Sequence, residues 1–285
     1  MINIKDFTFN YTLETEFFWK EGDNYAELNK ALDKSIENAY KDIMVRTLKR
    51  KEIEKTSNNF KKFKNLILEY IDKGTFPEAS DDFDKFHNKL CLSVLECLEL
   101  EYVEVKYGKA QKLVNMTFKY LYCTKYISDN DKRSLFDNCH IALDSIILEW
   151  LYKYVYPNYK IDNQELNESD NPHDSNLTRD CTPSWSNLIY SKDQDLVYDN
   201  KYTYNFFIKI IRKYFDNINI DITPFQAEFI IWREMQMELA IKEFLNSYKK
   251  YCKNPDIDPS SLIKENNVTN QLNKIHELLE NLPKN

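Results

Sequence analysis

Apolar residues recur at spacings of three and four along most of the chain, the pattern of amphipathic helices. Leu28, Leu32, Ile36, Ala39 and Ile43 mark a helix within 24–55. Phe60, Phe63, Ile67 and Ile71 mark a second over 58–73, which Gly74 stops and Pro77 follows. A third, over about 80–102, carries Phe86, Leu90, Val94 and Leu98, with Ser80, Asp81 and Asp82 as its cap and first-turn acids. Gly108 interrupts the pattern, and 109–125 resumes it with Leu113, Met116, Phe118 and Leu121 on the apolar side. A polar stretch over 128–137 precedes an apolar helix over 143–154 that ends near Pro157. Two more helices follow over 201–215 and 224–250, the second opened by Thr223-Pro224, and a last one covers 268–282. Phe7 to Thr12 alternates and reads as a short strand or an extended arm.

The expectation is therefore an all-α protein of about eight or nine helices, built as one large domain or two packed lobes. An N-terminal helical lobe would span 1–106 and hairpin-like core helices 107–156. A flexible, Asn- and Asp-rich loop would span 157–183, followed by a C-terminal lobe over 184–285 that begins around Trp185. Only three glycines and eight prolines interrupt 285 residues, and 42% of the chain is hydrophobic, with twenty Tyr and seventeen Phe. That composition favours helices around a substantial core over disorder or a turn-rich β fold.

Charge changes the picture locally. The net charge of −7 argues against a protein that coats DNA, because phosphate contacts need clustered cations. Residues 101–125 run the other way, with five lysines against two glutamates, a net of +3. A nucleic acid met through a local basic cleft, or otherwise a protein partner, follows from that contrast. Six cysteines without CxxC spacing point to buried reduced thiols and no metal centre, and His87, His173 and His276 are too dispersed for a metal site. No cofactor is implied. The residues after Met1 lack a signal-peptide pattern, and no apolar run approaches the roughly 18 residues of a membrane span. A cytoplasmic protein without membrane contact is expected.

Chemistry concentrates in two segments, Tyr107-Gly108-Lys109-Ala110-Gln111-Lys112 and His140-Ile141-Ala142-Leu143-Asp144. Gln111, Asn115 and Lys119 fall at steps of four on one helix, with Lys112 beside them. The sequence leaves open whether that polar stripe faces solvent or the interior. Gly108-Lys109-Ala110-Gln111-Lys112 leading into a helix resembles the Gly-x-Gly-x-Lys hairpin of helix-hairpin-helix DNA glycosylases, and Leu143-Asp144 resembles the apolar–Asp pair that opens a later helix of that family. The resemblance covers about 107–151. It implies a base-excision enzyme with Lys112 as catalytic lysine and Asp144 as catalytic aspartate. Gly108, Lys109, Gln111, Asn115, Lys119, His140 and Trp185 would bind substrate. A lysine amine can attack the sugar C1′ and a nearby carboxylate can steady the cationic sugar, once the nucleotide is flipped against an aromatic side chain. Trp185, Trp232, Tyr107 and Phe118 supply such rings. Ala110 stands in place of the family's second glycine, and 31 residues between Lys112 and Asp144 imply an inserted segment.

Two alternatives come from other features. Arg133 and His140 resemble the spaced Arg and His of HEPN-family ribonucleases, although the residue after the arginine is Ser134. The acidic balance and the absence of a standard enzyme motif suit a helical binding protein such as an immunity, antitoxin or phage-conflict factor. Glu228, Trp232 and Arg233 lie on an apolar helix and read as core packing with a paired carboxylate. Asp81 to Asp84 reads as a helix start, and Lys49-Arg50-Lys51 as a solvated charge run.

Overall fold

The computed structural model describes residues 27–47, 58–76, 82–99, 107–158, 179–191, 196–199, 201–218 and 222–252, with side chains in the last stretch to 239. The expected strand over 7–12, the helix over 268–282, the charge run at 49–51 and most of the 157–183 loop lie outside them. Among the described residues there are eight α-helices and one two-stranded ribbon, so the protein is all-α. The helices are α1 (Leu28–Thr47), α2 (Asn58–Lys73), α3 (Phe83–Glu99), α4 (Tyr107–Tyr122), α5 (Lys125–Asp129), α6 (Ser145–Trp150), α7 (Tyr204–Ile218) and α8 (Pro224–Cys252).

Local chemistry sets most of the boundaries. Gly74 ends α2 at φ 68°, the left-handed conformation that glycine adopts without penalty, and its N–H bonds to Tyr70 O. Asp82, one of the residues expected there, caps α3, its Oδ1 accepting from Lys85 N at 2.9 Å, while Ser80 and Asp81 lie outside the described residues. At α8, Thr223 Oγ1 accepts from Gln226 N and Gln226 Oε1 accepts from Thr223 N, a capping box with proline at the first helical position.

Four expectations are corrected. Gly108 does not interrupt a helix: α4 begins at Tyr107 and runs through it. That helix ends at Tyr122 and not near 125, where Thr124 Oγ1 turns back to Leu121 O and diverts the chain into α5. The apolar helix expected over 143–154 starts at Ser145, becomes a π-turn over Leu151–Val155 and finishes as a 3-10 turn over Tyr156–Asn158. The start expected for α7 is instead the second strand of a ribbon, β1 (Val197–Tyr198) against β2 (Lys201–Tyr202), with Asp199 at φ 48° in its turn.

The core is organised around α4, of whose sixteen residues fourteen are buried. It packs against α1, α3 and the 3-10 turn Trp185–Asn187, while α2 packs on α3 and α6 on α8. The polar stripe of α4 faces inward: Gln111 and Asn115 have no exposed surface, whereas Met116 on the nominally apolar side is only partly buried. Among the described residues no helix is long and apolar enough to cross a membrane.

Candidate functional site

Between the 3-10 turn Arg133–Phe136 and α6 the chain runs over 139–144 through the interior without helix or strand, and its backbone groups need partners there. Side chains of α4 and α8 supply them. Gln111 brackets Leu143, its Nε2 donating to Leu143 O at 2.7 Å and its Oε1 accepting from Leu143 N at 3.2 Å. Asn115 Nδ2 donates to Ile141 O at 3.1 Å and to Gln111 Oε1 at 3.0 Å. Glu228 Oε2 accepts from Ala142 N at 2.9 Å. This amide stripe replaces the ladder a neighbouring strand would give, and so fixes where Asp144 emerges.

Asp144 is the N-cap of α6, its Oδ1 accepting from Ile146 N at 2.9 Å and Ile147 N at 3.0 Å. Its other oxygen, Oδ2, receives Lys112 Nζ and Trp232 Nε1, each at 3.2 Å. Both members of the Lys112–Asp144 pair are about one-tenth exposed at the side chain. The Lys112 ammonium also sits 4.8 Å from the centre of the Trp185 ring, a cation–π contact. Lys112, Asp144 and two tryptophans thus converge from four separate segments.

Gly108 explains how Trp185 comes so close. A Cβ on residue 108 would lie 1.8 Å from Trp185 O, and Gly108 N donates to Leu188 O at 3.2 Å. Only a residue without a side chain lets the 184–188 segment cross α4 at this distance. Lys109 is half-buried on the same first turn. Beside Trp185 a cavity of about 210 Å³ opens, lined also by Ser145, Leu148, Arg179 and Ser184.

Two turns further along α4, Lys119 forms a second buried pair with Glu228 at 2.7 Å, and its ammonium lies over Phe229. Burial raises the Glu228 carboxyl, and Lys119 only partly opposes the shift. The paired-carboxylate reading of Glu228 is what the structure shows.

His140 belongs to a different cluster. Its Nε2 lies 2.8 Å from Asp84 Oδ1 and its Nδ1 2.9 Å from Tyr204 OH. Arg212 bridges both Asp84 oxygens at 2.7 and 2.5 Å. The arginine beside His140 is therefore Arg212, 3.2 Å away, while Arg133 donates to Ser128 Oγ. Burial pushes the His140 imidazole down, against the pull of Asp84, and pushes His87 down further, with His140 adding to the effect. Burial would raise the Asp84 carboxyl, but Arg212 and then His140 outweigh it and hold it well below the usual carboxylate range.

The carboxylate fixes the direction of the hydrogen bond to His140. Asp84 only accepts, so His140 donates from Nε2, and a neutral ring then accepts at Nδ1 from Tyr204 O–H. Asn115 Oδ1 accepts from His87 Nε2 at 2.8 Å, while the two Asn115 Nδ2 hydrogens go to Gln111 Oε1 and Ile141 O. Asp84, His87, Tyr204 and Arg212 were not evident from sequence, because the contacts that join them span up to 128 positions. Comparison with known proteins adds no relative: no family model matches the chain, and no curated protein or solved structure is significantly similar to it.

Proposed function

We propose that this protein is a DNA base-excision enzyme of the glycosylase/lyase type, with Lys112 as nucleophile and Asp144 as its carboxylate partner. The observation that carries this reading is the 3.2 Å approach of Lys112 Nζ to Asp144 Oδ2 beneath the Trp185 ring. In the reaction, a Lys112 amine that has given up its ammonium proton bonds to C1′ as the C1′–N glycosidic bond breaks. The base leaves with the electron pair and takes up a proton from solvent, which has received the ammonium proton. Sugar ring opening then leaves an iminium between Lys112 and C1′, which water hydrolyses. Asp144 stands beside the atom on which positive charge develops and stabilises it electrostatically.

Reaching Nζ requires an extruded nucleotide, as for any enzyme acting on a base inside a duplex. Trp185 covers Lys112 and borders the 210 Å³ cavity, so it is the ring placed to stack on the entering base. The overall charge of −7 makes DNA affinity depend on local cations such as Lys109 and hence on salt.

The test is borohydride reduction in the presence of abasic-site DNA. A covalent protein–DNA complex in the wild type that is lost in Lys112→Ala supports the reading. A folded wild-type protein that forms no such complex refutes it.

A further inference from the structure

Lys112 and Asp144 are closed off from the space beside them. Their side chains are each about one-tenth exposed, and neither residue borders the 210 Å³ cavity. Trp185 touches both places: its ring lies over the Lys112 ammonium, 4.8 Å from ring centre to Nζ, and it also forms part of the cavity wall. The ring thus separates the cavity from the ammonium.

The backbone that carries Trp185 is pinned. Asn187 N donates to Ser184 O at 2.8 Å, Gly108 N donates to Leu188 O at 3.2 Å, and Trp185 O lies against Gly108, where a Cβ would approach it to 1.8 Å. The side chain is held differently. Among the described residues the Trp185 indole N–H donates to no partner, and the cation–π contact with Lys112 is the ring's one polar contact. Trp232, the other tryptophan at the pair, donates its Nε1 to Asp144 Oδ2 at 3.2 Å, a bond that any turn of its ring would break. Trp185 is only partly buried and has the cavity at its side, so its ring can turn about the side-chain bonds while the backbone stays in place.

From a pinned backbone, a ring without a hydrogen bond and open space beside it, we propose that Trp185 is a gate and decides what reaches Lys112. The structure shows it closed. When the ring turns toward the cavity, Lys112 Nζ is uncovered, and its 3.2 Å contact with Asp144 remains, so opening strands no buried charge. A flat aromatic group entering from the cavity replaces the lost contact over the ammonium and holds the gate open. The gate stands on this packing alone; that the entering group is an extruded base rests on the base-excision reading.

The experiment is trace acetylation of the full chain with acetic anhydride, without DNA, with the rate at each lysine read by mass spectrometry. Lys119 is the internal control, a second buried lysine paired with a carboxylate and distant from Trp185 in the fold. The two lysine side chains are 10% and 4% exposed, so fixed exposure alone accounts for a rate ratio of only about 2.5. Opening of the gate predicts that wild-type Lys112 reacts at least about tenfold faster than Lys119, as local opening outpaces opening of the core. Trp185→Ala should raise the Lys112 rate about tenfold more and leave Lys119 unchanged, with Trp185→Phe between. A wild-type ratio no greater than the exposures give overturns the proposal. So does a Lys112 rate unchanged in Trp185→Ala, or one that rises together with that of Lys119. None of these outcomes depends on whether borohydride traps a DNA complex.

Discussion

Lys112 and Asp144 stand 32 positions apart in the chain, yet their charged atoms approach to 3.2 Å in the interior, where Asp144 also caps α6. One carboxylate therefore serves a helix start and a buried cation together. Asp144→Asn keeps an acceptor for the α6 N–H groups but removes the charge facing Lys112, whereas Asp144→Ala removes both. Cap loss costs about 1 kcal/mol and an uncompensated buried charge about 3–5 kcal/mol. Asp144→Ala should thus be the more destabilising in urea titrations, by about 1 kcal/mol relative to Asp144→Asn. Equal losses would show that the cap contributes nothing.

Gly108 presents a contest of signs. Alanine is the better helix former by about 1 kcal/mol, but a Cβ there would lie 1.8 Å from the Trp185 carbonyl oxygen. Backbone cannot yield as a flexible side chain can, and overpacking of this kind costs about 1–3 kcal/mol. Gly108→Ala should therefore lower stability and displace Trp185, which its fluorescence reports. A stabilised variant would contradict the described crossing.

The Lys119–Glu228 pair is almost wholly buried, and Glu228 also holds Ala142 N. Lys119→Met leaves the carboxylate without its counter-charge and should cost about 3–5 kcal/mol. Adding Glu228→Gln retains an acceptor for Ala142 N and removes the stranded charge, so the double variant should recover much of the loss. A double-mutant cycle with no coupling would show that the two side chains act separately.

Acid should destabilise the fold early. His87 and His140 have folded-state pKa values below the ordinary histidine value of about 6.5, so the unfolded chain binds protons that the folded chain does not. Stability from these two groups is complete above about pH 6.5 and falls as pH drops below it, by up to about 1.4 kcal/mol per pH unit for each proton. Asp84, held low, adds a further loss at more acid pH, below the usual carboxylate value of about 3.9. Thermal melting between pH 8 and pH 5 checks the histidine range (the interval lies in about the titration window of the free side chain). His87→Gln should flatten the profile, and an unchanged slope would remove His87 as a cause.

Much of the helical framework was legible because its signals are local. The apolar spacing and Gly74 placed α2 at its observed bounds, and Thr223-Pro224 marked the start of α8. The convergence of Lys112 with Asp144 was an expectation from resemblance alone. The inward face of Gln111 and Asn115 was not legible, because nothing within one helical turn distinguishes a solvated amide from one that binds a buried backbone segment. Asp84, His87, Tyr204 and Arg212 meet only through tertiary packing. The β1–β2 ribbon, two residues per strand, is too short to leave a periodic signal.

The most direct measurement is peptide mapping by mass spectrometry of the protein after borohydride reduction with abasic-site DNA. The proposed chemistry predicts a sugar-derived adduct on Lys112, absent from Lys112→Ala and reduced in Asp144→Asn. An unmodified Lys112, or an adduct confined to other lysines and undiminished in Lys112→Ala, contradicts it.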